Sequence, residues 1–131
     1  VIAGGAPKNI FAGSFTAGPR DIVVSEKGLE IRRDGNIVKF VSKVYKIFFS
    51  GRTALRYGKE VVYITERAVF RLADSGLELV EIAPGVDIEK HILAKMEFKP
   101  TISRSLEIMD RRIFRARRMG LAEEISKIFR A

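Results

Sequence analysis

The residues of this chain that could carry acid–base, nucleophilic or metal-binding chemistry are few. Histidine occurs once, at His91, and cysteine is absent. The chain therefore has no raw material for a His/Cys metal cluster, a thiolate nucleophile, a disulfide or a Ser-His-Asp set with a plausible acid partner. His91 falls between apolar positions 88 and 92 of a predicted helix and reads as an ordinary, partly exposed side chain. Glu26 stands two residues before Gly28, in a turn context where a solvated carboxylate is the ordinary reading. Glu66, Glu78, Glu81, Asp87 and Glu89 lie close in sequence, but no spacing pairs two of them for general acid–base work. The glycine-rich stretches Gly4-Gly5 and Gly13-x-x-x-x-Gly18 are not followed by the Lys-Ser/Thr of a phosphate-binding loop, and neither sits in a strand-GxGxxG-helix unit. They read as turns that need positive φ.

One basic run stands out, Arg111-Arg112-x-x-Arg115-x-Arg117-Arg118. On a helix, Arg111, Arg115 and Arg118 share a face, with Arg104 seven residues further back. Such a stripe suits phosphates. However, no aromatic residue is interleaved for base stacking, and Leu106, Met109 and Ile113 fall on the other side, as an amphipathic surface helix requires. The stripe reads as a solvated or subunit-facing surface, and nucleic acid is not the expected partner. The whole chain carries 24 Lys and Arg against 16 Asp and Glu, a formal charge of +8. That charge suits an anionic partner without naming one.

The 131 residues are 47% apolar and 31% charged, which fits one folded domain over 1–131 and excludes a disordered or fibrous chain as the main state. No apolar run approaches the length of a spanning helix, and Val1 to Pro7 lack the features of a signal peptide. The expectation is a cytoplasmic protein with no membrane association. Charge is dense and Trp, Cys and Gln are absent, which leans toward a thermophilic source. The chain begins at Val1 with an apolar segment at once, and this reads as a piece of a longer polypeptide.

The elements that would position any site begin with strands. Asn9 to Phe15 reads as a buried strand entering a loop at Thr16-Ala17-Gly18-Pro19. Ile22 to Val24 and Leu29 to Arg32 flank the turn Glu26-Lys27-Gly28. Asp34-Gly35 is a hairpin signal leading to a third meander strand at Ile37 to Val41. Val44 to Phe49 reads as a further strand, Arg52 to Gly58 as one or two helical turns, and Val61 to Thr65 as a central strand. Ala68 to Leu72 and Leu77 to Ile82 form a hairpin across Asp74-Ser75-Gly76. After Pro84-Gly85 the period becomes helical. Asp87 caps a helix running to about Phe98, Ser105 caps a second with Leu106, Met109, Ile113 and Phe114 on it, and Leu121, Ile125, Ile128 and Phe129 mark a third.

The string Ile64-Thr65-Glu66-Arg67-Ala68-Val69-Phe70, followed by Gly76-Leu77-Glu78-Leu79-Val80-Glu81-Ile82-Ala83-Pro84-Gly85-Val86-Asp87, resembles the C-terminal part of the β domain of the family I CoA-transferases. This family includes the succinyl-CoA:3-ketoacid and the propionate or acetate CoA-transferases. The resemblance extends back through Phe11 to Gly18, Lys39-Phe40-Val41 and Phe49-Ser50-Gly51. It reaches forward through Phe98-Lys99-Pro100 and Met109 to Phe114. It covers roughly residues 8–114, leaving 115–131 as an additional helical tail.

The resemblance implies an α/β fold: a mixed sheet with a β-meander insertion and C-terminal helices. It also implies exchange of coenzyme A between an acyl-CoA and a free carboxylic or keto acid through a glutamate nucleophile, with coenzyme A as substrate. In that family the glutamate attacks the thioester to give an acyl-glutamyl anhydride. The CoA thiolate returns to give a glutamyl thioester, and the second acid collects the CoA. That glutamate precedes the strand that Ile10 to Phe15 resembles, so no catalytic residue and no metal ligand is expected within this chain. Glu26 follows that strand and does not match. Gly13, Ser14, Thr16 and Gly18, in the resembling strand and loop, are the expected coenzyme-binding residues. The chain is expected to be inactive alone and to work as a homo-oligomer or with a partner chain that supplies the missing catalytic part. The competing readings are a non-catalytic assembly module that keeps the fold and a basic nucleic-acid-binding module.

Overall fold

The computed structural model describes residues 2–47 and 49–130. A four-residue helical turn, α1 (Ile2–Gly5), leads into β1 (Lys8–Ala12). The short β2 (Thr16–Ala17), the hairpin β3 (Asp21–Ser25) and β4 (Gly28–Arg33), and β5 (Ile37–Val38) follow. Then come α2 (Gly51–Arg56), β6 (Glu60–Ile64), β7 (Ala68–Ala73), β8 (Gly76–Ile82) and α3 (Ile88–His91). A 3₁₀ turn at Leu93–Lys95, β9 (Thr101–Ile108), a second 3₁₀ turn at Arg111–Phe114 and α4 (Leu121–Arg130) complete the order.

One five-stranded mixed sheet, in the order β1-β6-β7-β8-β9, organises the molecule. Its outer pairs β1/β6 and β8/β9 are parallel and the inner pairs are antiparallel. β7 is central, and its alternation packs both faces of the sheet. Ala68 and Phe70 join Phe15, Leu79, Ile82 and Ile92 on one face, while Val69 joins Leu29, Ala83, Met109 and Phe114 on the other. The first core is rich in rings: Phe40 lies 4.9 Å from Phe15 and 5.2 Å from Phe70, centroid to centroid.

The hairpin β3/β4 covers the second core, and two glycines let it seat there. Gly28 has φ +118°, and a Cβ at that position would fall 2.1 Å from the Pro84 carbonyl oxygen. Gly85, at φ +88°, faces the Leu29 carbonyl in the same way. The neighbouring Leu29 N–H donates to the Pro84 carbonyl at 2.8 Å. Side chains at either glycine would hold the two turns apart.

The α/β architecture agrees with the sequence reading, and five local expectations are corrected. Ile37 to Val41 does not continue the β3/β4 meander: only Ile37–Val38 is a strand, and it pairs with β2. Val44 to Phe49 forms no strand among the described residues, Phe48 lying outside them, and Val44, Tyr45 and Ile47 are exposed. The helix after Asp87 is one α-turn and a 3₁₀ turn. Asp87 does cap it, accepting from the Lys90 N–H at 2.7 Å. The helix placed after Ser105 is a strand, β9, that ends in the Arg111–Phe114 turn. β1 is also an edge strand, buried at Asn9 only, rather than an interior one.

Candidate functional site

The parallel strands β1 and β6 end side by side, and a cavity of about 340 Å³ opens at their carboxyl ends. Open α/β sheets bind ligands in this position, because the loops that leave parallel strands diverge there. Phe11 to Ser14 leave β1 along one wall, and Tyr63 to Thr65 leave β6 along the next. Phe40, Leu77 and Phe98 close the apolar side. Phe11 stacks on Tyr63 with centroids 5.2 Å apart and rings 18° from parallel. Burial pushes the Tyr63 phenol above its ordinary pKa. Lys39 is the single charged residue of the lining, and its Nζ donates to the Ser14 carbonyl at 2.6 Å.

A buried ionic node holds the base of this loop. Arg67 is fully buried, and its guanidinium donates to both oxygens of Asp34, at 2.6 and 2.9 Å. Its Nε donates to Glu66 at 2.8 Å, its Nη1 to the His91 carbonyl at 3.1 Å, and its cationic carbon lies 5.0 Å from the Phe15 ring centroid. The second oxygen of Glu66 accepts from the Phe15 N–H at 2.8 Å, and the Thr16 hydroxyl donates to Asp34 at 2.6 Å. Burial works against the charge on Asp34, but the Arg67 and Thr16 hydrogen bonds override it and hold the carboxyl at about 2. Burial likewise opposes the charged form of Arg67, and its carboxylate partners prevail and raise its pKa. Because Phe15 touches Phe40 and Phe40 lines the cavity, the node is one residue removed from the wall.

The four residues expected to bind coenzyme A separate into two groups. Gly13 and Ser14 line the cavity. Thr16 is buried, with its hydroxyl engaged by Asp34 and by the Gly35 N–H at 3.1 Å. Gly18 sits in the turn beyond, at φ +92°, where a Cβ would strike the Asn36 side chain. The positive-φ reading of the glycine stretches thus holds at Gly18 and fails at Gly4, Gly5 and Gly13. At Gly13 an added Cβ would meet only the Lys39 ammonium, at 3.4 Å.

Sequence reasoning passed over the Arg67 node. In the sequence Glu66 reads only as an unpaired carboxylate and Asp34 only as part of a hairpin signal, so neither points to Arg67. His91 is half-buried, accepts the Asp87 N–H on Nδ1 at 3.0 Å, and has a lowered pKa through burial and the nearby Lys90 charge. Glu26 is an exposed residue of the β3/β4 turn. The arginine stripe does not form, because Arg111 and Arg112 lie in the 3₁₀ turn and Arg115 is extended. Among the described residues no group of three or more His, Asp or Glu side chains is placed to hold a metal ion. No helix among them is long and apolar enough to cross a membrane.

Comparison with known proteins decides what this framework is. No protein-family model matches the chain. It is 47% identical over 119 residues, 91% of its length, to the acetate CoA-transferase YdiF of Escherichia coli K12. It is 40% identical over 114 residues to the caffeate CoA-transferase of Acetobacterium woodii. The crystal structure of the acyl-CoA transferase apoenzyme from E. coli O157:H7 superposes with a TM-score of 0.88 over 91% of this chain. A thioester complex of that enzyme with CoA superposes with the same score. The chain is a homologue of the CoA-transferases over this span. It covers 22% of the length of each of these curated relatives and 23% of the crystallised chain. The span it matches is thus about a fifth of these longer proteins.

Proposed function

We propose that this chain is the C-terminal portion of an acyl-CoA:carboxylate CoA-transferase, which moves CoA between an acyl-CoA and a short-chain carboxylic or keto acid. The observation that carries the proposal is the joint match of sequence and fold, 47% identity with a TM-score of 0.88 across nine-tenths of the chain. In the transfer, a glutamate carboxylate attacks the acyl-CoA thioester and expels the CoA thiolate, leaving an acyl-glutamyl anhydride. The thiolate then attacks the glutamyl carbonyl, releasing the first acid and forming a glutamyl-CoA thioester. Attack by the second carboxylate and return of the thiolate regenerate the glutamate. The glutamate comes from the part of the polypeptide that this chain lacks, as the resemblance implies. This chain contributes the framework at the ends of β1 and β6, with Gly13, Ser14, Thr16 and Gly18 as the loop nearest coenzyme A. The working enzyme is a cytoplasmic homo-oligomer or a complex with the chain that supplies the missing part.

A chimera tests this reading. Residues 1–131 replace the matching segment of the E. coli acetate CoA-transferase, and transfer of CoA from acetyl-CoA to propionate is followed by chromatography of the thioesters. The isolated chain is expected to give no transfer above the uncatalysed rate, and the chimera to turn over. A folded but inactive chimera, or turnover by the isolated chain that Glu26→Gln abolishes, overturns the proposal.

A further inference from the structure

A second cleft, of about 400 Å³, lies between the β3/β4 hairpin and the segment that follows β8. Ser25, Lys27 and Glu30 line it from the hairpin, and Gly85, Lys90 and His91 line it from the facing segment. Its charge is one-sided. The Lys27 and Lys90 ammoniums make no ion pair or hydrogen bond among the described residues, whereas Glu30, the one carboxylate of the lining, is engaged by the Arg32 Nε at 3.1 Å. The other polar groups are donors. His91 accepts the Asp87 N–H on Nδ1 at 3.0 Å, which puts the proton of the neutral ring on Nε2. The Ser25 hydroxyl oxygen accepts from the Lys27 N–H at 3.3 Å and keeps its own proton to donate. Two ammoniums, an imidazole N–H and a hydroxyl about one cleft are complementary to an anion. A phosphoryl group matches this set better than a carboxylate does, because it brings nearly two charges and three acceptor oxygens. The cleft is also larger than a phosphoryl group alone, and buried Leu29 and half-buried Ile31 add an apolar wall.

We propose that this cleft binds a small organic phosphate monoester, its phosphoryl oxygens on Lys27, Lys90 and the His91 Nε2–H and its carbon body against Leu29 and Ile31. The inference goes beyond the transferase reading and does not depend on it. A ligand so placed bridges the β3/β4 hairpin to the segment after β8, and adds to the Leu29–Pro84 hydrogen bond that already joins them. Lys27 and Lys90 are exposed, so replacing either leaves the fold intact.

The test is titration of the 15N-labelled 131-residue chain with glycerol 3-phosphate, inorganic phosphate and acetate at constant ionic strength. Saturating amide shifts are expected at Ser25, Lys27, Gly28, Lys90 and His91, with a dissociation constant on the order of 1 mM for glycerol 3-phosphate, as befits a ligand of about ten heavy atoms. Inorganic phosphate should bind the same residues severalfold more weakly, and acetate should not saturate. Lys27→Gln and Lys90→Gln are each expected to weaken glycerol 3-phosphate about fivefold, whereas Lys127→Gln, the same charge change on α4, leaves it unaltered. The His91 ring gives an independent readout. Burial and the Lys90 charge hold its pKa below the ordinary value, Arg67 acts in the same sense, and Asp87 and Asp34 oppose them. Lys27 and Glu30 line the same cleft. A bound dianion adds negative charge beside Nε2, so glycerol 3-phosphate should move the midpoint of the His91 titration upward. Absence of saturable shifts up to about 20 mM, equal affinity for inorganic phosphate or acetate, equal losses in Lys27→Gln and Lys127→Gln, or an unmoved His91 midpoint each overturns the inference.

Discussion

Arg67 and Asp34, thirty-three residues apart, meet in a two-pronged ion pair in which the arginine side chain is fully buried and the aspartate is 9% exposed. Taking both charges out of water costs several kcal/mol, and the geometry offsets that cost because the remaining polar atoms are also bonded, to Glu66, Thr16 and the His91 carbonyl. Removing one partner leaves the other charge buried and uncompensated. Arg67→Met is therefore expected to destabilise the chain by about 3–5 kcal/mol in urea unfolding. Arg71→Ala breaks the exposed pair with Glu78 and should cost no more than about 1 kcal/mol. Equal losses in the two variants would show that the node is not the anchor.

The same pair sets an acid dependence. The Asp34 carboxyl titrates at about 2 in the folded chain against an ordinary 3.8. A depressed folded value means that the stabilisation is fully present above the ordinary value and is lost as pH falls from about 4 toward 2. The difference corresponds to roughly 2 kcal/mol. Unfolding free energies measured between pH 2 and 6 should fall over that window in the native chain. The fall should be shallower by about that amount in Asp34→Asn, which starts from a lower stability.

How much of this was legible depends on the range over which each feature is determined. The hairpin β7/β8 declares itself locally, by β-branched and aromatic alternation around Asp74-Ser75-Gly76, and so does α4 by its apolar spacing. β9 hides its type. Its pairing with β8 slips between Leu79, which faces Ile102, and Glu81, which faces Glu107. The partly buried positions Ser103 and Leu106 then fall three apart and lead to buried Met109, a spacing that imitates a helix. Val44 to Ile47 has strand composition but pairs with no strand among the described residues, and composition alone cannot reveal that. At the candidate site, the family resemblance pointed to a loop of which Gly13 and Ser14 line the cavity. The Arg67–Asp34 contact was not, because nothing near either residue in sequence announces a partner on the far side of the β3/β4 hairpin.

The seat of that hairpin gives a graded test of backbone constraint. Gly28→Ala combines a positive φ with a Cβ placed against the Pro84 carbonyl, whereas Gly58→Ala has φ +63° with nothing within 4 Å. The second change should cost about 1 kcal/mol for the left-handed backbone alone, and the first at least about 2–3 kcal/mol. The Gly28 variant should also lose protection at the Leu29 amide, whose bond to Pro84 the added carbon displaces. Amide hydrogen exchange reads both effects.

Charge rather than packing ties α4 to the rest of the chain. None of its residues is buried, and Ile128 and Phe129 are 71% and 85% exposed. Its anchor is Arg112, whose guanidinium bridges Asp110 and Glu124 and donates to the Met119 carbonyl at 3.1 Å. Hydrogen bonds that Arg112 donates to Asp110 and Glu124 raise the arginine's pKa, and those to Asp110 lower the pKa of that carboxyl. A ten-residue helix without a buried face is marginal in water, since nucleation is costly and propagation adds little per residue. The amides of α4 should therefore exchange orders of magnitude faster than those of β7 and β8 in the isolated chain. Arg112→Ala should speed them further while moving the global unfolding midpoint little, because an exposed ion-pair network contributes about 1 kcal/mol or less. In the active chimera the same amides become protected if the rest of the enzyme covers Leu121, Ile125, Ile128 and Phe129. Protection of α4 in the isolated chain equal to that of β7 would instead mean that the helix is held by contacts other than Arg112.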